Sequence, residues 1–138
     1  MPGEWICVFG GHPANRRIFW SDRAMPVTVS LAAVAVADLA RAKEFYSRLF
    51  GRPADLEPMP SLAQWDFPPS GGFQVVENAG TAGASMATLL VSDFDDFLAR
   101  LHRSGIATGE VITGVLSRLT RIQDPAANVI TIAEVPAR

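Results

Sequence analysis

The sequence predicts an α+β domain built from two tandem βαβββ modules, and three observations carry that expectation. Residues 31–50, LAAVAVADLARAKEFYSRLF, align without a gap on residues 86–105, MATLLVSDFDDFLARLHRSG, at an offset of 55 positions. In both copies an apolar strand pattern passes through Val-x-Asp into a helical pattern. Each helix is then followed by three short strand-like segments. Two copies of this length point to a pseudo-symmetric domain, because a solenoid needs three or more repeats.

Taken in order, residues 1–26 read as an N-terminal arm and residues 27–138 as one domain, with modules spanning about 27–80 and 84–135. The first 24 residues lack the basic n-region and small-residue cleavage site of a signal peptide, and Met25 opens a segment that reads as a natural start. Two readings stay open for them: an arm that covers a partner subunit with Trp5, Phe9 and Trp20, or a disordered or over-extended start.

In the first module the strand ends at Asp38, placed to N-cap a helix whose apolar positions Leu39, Ala42, Phe45, Tyr46, Leu49 and Phe50 share one face. Asp93 stands at the matching place in the second module, before Phe94, Phe97, Leu98, Leu101 and Ile106. Gly51 and Gly105 supply left-handed C-terminal stops. After the first helix, ADLEPM, LAQWDF and GFQVVEN read as strands divided by Pro and Gly. After the second, TGEVI, VLSRLTRIQ and NVITIAE do the same, divided by Gly114 and by DPAAN.

The bulk numbers exclude several classes of function. A chain of 138 residues buries roughly two-thirds of its unfolded surface in one core. Its 49% hydrophobic and 19% charged residues are those of a globular protein. The formal charge is −2 and no basic run interleaves with aromatics, so no nucleic-acid partner is expected. No apolar run approaches the about 18 residues of a membrane span, and the single Cys7 cannot form an internal disulfide, so a cytoplasmic location is expected.

The segments VADLARAKEFYSRLFG, WDFPPSGGFQVVEN, LLVSDFDDFLARLHRSGI and IQDPAANVITIAE, in this order and spacing, resemble the vicinal oxygen chelate superfamily, which contains glyoxalase I, bleomycin-resistance proteins and extradiol dioxygenases. The resemblance covers residues 27–135. It implies that the eight strands curl into an open, cup-shaped mixed sheet. In the family the cup holds a divalent metal, with one ligand near the start of each module and one on each module's last strand.

At those four places this chain has Leu31, Met86, Gln74 (or Val76 if the register slips by two) and Thr131. None offers the imidazole or carboxylate that such metals take, so no metal and no cofactor is expected. Glu77 and Glu134 have the opposite strand parity and should point away from the cup. Of the two histidines, His12 lies in the arm and His102 on the second helix, where a solvated role is the ordinary one. No Ser/His/Asp or Cys/His set, P-loop or dinucleotide fingerprint is present, so whether the chain is an enzyme stays open.

What remains is a concave face for a small-molecule ligand. By parity, Leu31, Ala33, Gln74, Val76, Met86, Thr88 and Thr131 face inward. Trp65 and Phe67 share one strand face, which serves stacking on a planar ligand or, equally, a core or dimer interface. Arg118 and Arg121 are three apart, so only one of them can face inward to hold an anionic or carbonyl group. Three functions are consistent with this: metal-free binding of the bleomycin-resistance type, a lyase, isomerase or dioxygenase of the superfamily, or an accessory dimer. The apolar area and the relatives' habit together imply a homodimer.

Overall fold

The computed structural model describes residues 27–136, so the arm at 1–26, with Cys7 and His12, lies outside the described residues. Strand β1 (Leu31–Val36) leads into helix α1 (Leu39–Phe50), followed by β2 (Leu56–Met59), β3 (Leu62–Phe67) and β4 (Gly71–Glu77). The second module repeats this with β5 (Met86–Val91), α2 (Phe94–Arg103), β6 (Ile112–Thr113), β7 (Arg118–Gln123) and β8 (Val129–Glu134). Each module makes a four-stranded mixed sheet, in the orders β1-β4-β3-β2 and β5-β8-β7-β6. The first and last strands of each module run parallel and the other pairings are antiparallel.

Period-two alternation decides which side of each sheet is buried. Val34, Val36, Ala63, Trp65, Phe73 and Val75 are buried beneath α1. The rings of Tyr46 and Phe50 lie 5.2 Å and 5.3 Å from that of Phe73. In the second module Ile122, Ile130 and Ile132 join Phe94, Leu98 and Leu101, and one apolar cluster runs through both modules. The opposite sides of the sheets are left open.

The two sheets meet at β1 and β5 without a backbone ladder. The Ala35 N–H donates to Ser85 Oγ at 3.0 Å, and Asn128 Nδ2 donates to the Ala35 carbonyl at 2.7 Å. The Ser85 N–H in turn donates to Asn128 Oδ1. Side chains thereby satisfy a strand-edge backbone that would otherwise be left without partners.

The helix C-termini are tied across the module boundary. Arg100 donates to the Arg48 and Leu49 carbonyls that end α1, while Arg48 donates to the Ser104 carbonyl beyond α2. Gly51 and Gly105 adopt φ of 77° and 82°, the left-handed stops expected for them. The second stop brings Ile106 back onto the core through its N–H bond to the Leu101 carbonyl.

Some local expectations change. Asp38 caps α1 by accepting the Arg41 N–H, but Asp93 makes no side-chain cap bond. The Asp96 carboxyl is held above the usual range by the neighbouring Asp93, first through the hydrogen bond that a protonated Asp96 can donate to it and then through its charge. Strands β6 and β7 are shorter than the sequence suggests. A turn closed by Gly114 N–H on the Ser117 carbonyl leaves Val115 and Leu116 exposed at the hairpin tip. β2 is exposed throughout, as an edge strand carrying Pro58.

Candidate functional site

The register brings the inward candidates onto matching rungs of the two sheets. In the first, Ala33 pairs with Gln74 and Gln74 with Gln64. In the second, Thr88 pairs with Thr131 and Thr131 with Arg121. These residues occupy the open side, opposite the buried rows. Leu31 lies on the open side two residues before Ala33, and Met86 two before Thr88. Met86 and Leu90 are exposed there, at 80% and 63%.

A chain of hydrogen bonds organises the first rung. Gln74 Nε2 donates to Gln64 Oε1 at 2.9 Å, and Gln64 Nε2 donates to Asp66 Oδ1 at 2.8 Å. Both amides are thereby oriented, and the Gln74 carbonyl is the acceptor left at the end of the chain. Asp66 is fixed from behind by its own N–H donating to Asp55 Oδ2. The Arg52 hydrogen bond and then the Asp66 amide hold the Asp55 carboxyl below the usual carboxylate range.

The second rung presents hydroxyls and a cation. Arg121 is exposed, and its side chain makes no hydrogen bond or ion pair with any of the described residues. Arg118 is the arginine that turns away. It bonds Glu134 and Asp95 and lies over the Phe94 ring at 4.9 Å, on the α2 side of the sheet. This removes Arg118 from the inward set, because four of its five N–H donors go to carboxylates and its guanidinium lies over an aromatic face on the helical side.

Trp65 and Phe67 leave the inward set for a different reason. Trp65 is fully buried under α1, and its Nε1 donates to the Arg52 carbonyl. Phe67 packs edge-on against Phe50 at 5.1 Å. Stacking on a ligand is thus replaced by the core role. Gln64 and Asp66, absent from the inward set read from sequence, take the open side of that strand. The signal was present in LAQWDF, where the polar residues alternate with Ala63, Trp65 and Phe67.

The donor chemistry can be tested against a divalent metal. Leu31 and Met86 carry no hard donor, Gln74 offers only one uncharged amide oxygen, and Thr131 has the Arg121 cation beside it on its rung. Glu77 and Glu134 are engaged on the helical side, Glu77 accepting the Leu39 N–H and Glu134 the Arg118 guanidinium. That ion pair lowers the Glu134 carboxyl. Among the described residues no three His, Cys, Asp or Glu cluster as a metal site would require. The residues present do not fit the metal.

No protein-family model and no curated protein matches the chain. Solved structures do. A glyoxalase/bleomycin resistance protein from Catenulispora acidiphila is 29% identical at a TM-score of 0.74, covering 80% of this chain and 100% of that one. An antibiotic-binding protein from Streptomyces is 25% identical at a TM-score of 0.66, covering 83% and 100%. A lactoylglutathione lyase from Agrobacterium tumefaciens, 18% identical at a TM-score of 0.65 over 80% and 96%, shares the fold.

Two four-stranded mixed sheets, each with its helix on the buried side, define an α+β protein of paired βαβββ modules. Its fold is that of the vicinal oxygen chelate superfamily. Among the described residues no helix is long and apolar enough to cross a membrane.

Proposed function

We propose that this protein binds a small organic molecule on the open side of its sheets without a metal, in the manner of bleomycin-resistance proteins. The observation that carries the reading is the pair of matching rungs. At the superfamily's four ligand places this chain has Leu31, Met86, the Gln74 end of an oriented amide chain and the Thr131 hydroxyl, with Thr88 and Arg121 beside Thr131 on its rung. The Gln74 carbonyl accepts from a donor on the ligand, and Arg121 holds an anionic or carbonyl group. Leu31, Ala33, Thr88 and Met86 supply the surface between. The printed description of the Streptomyces neighbour as antibiotic-binding supports the same class.

The working form is a cytoplasmic homodimer. Exposed Met86 and Leu90 support the dimer as area for a second copy to cover, and the lone Cys7 is consistent with a reducing compartment.

The test is thermal-shift screening of small planar and anionic compounds with chelator present, alongside elemental analysis of untagged protein. At about 100 times Kd a ligand adds about 2.7 kcal/mol, which raises Tm by on the order of ten degrees. Chelator should leave that shift unchanged. One divalent metal per chain, together with loss of binding in chelator, would overturn the reading.

A further inference from the structure

The structure assigns a second binding site, for a small amphipathic carboxylate, in the groove between α1 and the segment that follows α2. The groove encloses about 600 Å³, within the range of small-molecule sites. It goes beyond the open-face site, because its floor belongs to the buried core cluster on the helical side of the sheets.

Its chemistry is asymmetric. Phe45, Ile106 and Ile122 form an apolar floor, each almost completely buried. Arg48 lines the groove, and none of its described lining residues is acidic; Arg121 borders it along β7, with its side chain on the Thr131 rung of the open side. Arg48 is held in place by its bond to the Ser104 carbonyl at 3.0 Å, leaving the rest of its guanidinium fork free of described partners.

A cation beside an apolar groove without a carboxylate leaves uncompensated positive charge, which an anion relieves. A carboxylate matches the guanidinium fork in two parallel hydrogen bonds. The backbone reinforces this. The N–H groups of Ala107 and Thr108, both lining the groove, donate to no other described backbone or side-chain group, whereas the adjacent Ile106 and Gly109 N–H groups are bonded within the fold. An aromatic or branched aliphatic body then covers the apolar floor while its carboxylate lies at Arg48.

The probe is 2-naphthoate, with the uncharged 2-naphthamide as its matched control, titrated into the full chain and followed by amide chemical shifts. Naphthoate should bind with shifts at Ala107, Thr108 and Gly109, and naphthamide should bind at least about tenfold more weakly. Arg48→Gln should weaken naphthoate by about tenfold and leave naphthamide unchanged, with Arg48→Lys intermediate, and Arg121→Gln on the open side should leave naphthoate binding here unchanged. Melting curves for each variant establish that it is folded.

Gln74→Leu separates this site from the open face, because it should leave naphthoate binding here intact. Equal affinity for the two probes overturns the proposal. So does indifference to Arg48→Gln, shifts confined to the Gln74 and Thr131 rungs, or no naphthoate binding at millimolar concentration.

Discussion

The Tyr46 hydroxyl donates to Asp124 Oδ2 at 2.7 Å, joining the first helix to the last hairpin of the chain across 78 residues. Asp124 is buried and accepts in addition from Asn128 Nδ2, the Asn128 N–H and the Ala126 N–H. Four donors without a cation therefore hold one carboxylate, and Asn128 extends the network to the Ala35 carbonyl in β1. The two modules are registered on each other at this point.

Tyr46→Phe should lower stability by about 2 kcal/mol, because a buried carboxylate loses one donor. Asp124→Ala should cost more, since all four donors lose their acceptor. Urea unfolding measures both, and a Tyr46→Phe variant as stable as the parent would show that the bond is not linking the modules.

The same pair predicts an alkaline limb. Burial first, then the hydrogen bond and charge of Asp124, push the Tyr46 phenol far above its ordinary 10.0. The folded protein keeps that proton where the unfolded chain releases it. The stabilisation is therefore complete below pH 10 and falls as pH rises beyond it, by up to about 1.4 kcal/mol per pH unit from this group. Unfolding measured from pH 9 to 11 should show a shallower decline for Tyr46→Phe than for the parent.

Ala127 sits at φ 74°, in the left-handed region that favours glycine. A Cβ there is strained, and glycine's extra unfolded-state entropy offsets only part of the relief. Ala127→Gly should raise stability by about 0.5–1 kcal/mol, read as a higher Tm. A lower Tm would mean that the turn tolerates the Cβ without strain.

The two aspartates that begin the helices should behave differently. Asp38→Ala removes the cap on the Arg41 N–H and should cost about 1 kcal/mol. Asp93→Ala removes no cap bond and relieves the repulsion with Asp96, so its effect should stay within about 0.5 kcal/mol. Equal losses from the two substitutions would contradict the asymmetry.

On the open side, Gln74→Leu should weaken the ligands found by thermal shift by about tenfold, because it removes the terminal acceptor and frees Gln64 to turn. Titration calorimetry with and without chelator measures the loss, and the two titrations should coincide.

The amino-acid sequence determined the modular plan, since strand, Asp and helix recur at a fixed offset and alternation is a local property. It also settled that Gln74 and Thr131 share the open side while Glu77 and Glu134 do not, because parity within one strand needs no partner. Tertiary structure decided what local pattern left open. In LAQWDF both sides carry large groups, and only α1 packing on this strand shows that Trp65 and Phe67 are core and Gln64 and Asp66 are open. Arg118 and Arg121 each fit an inward place until Glu134 and Asp95 claim the first. The seam of Ser85 and Asn128, the Tyr46–Asp124 bond and the inter-module groove join residues tens of positions apart. Such contacts arise only when the two modules pack, so no stretch of sequence read by itself contains them.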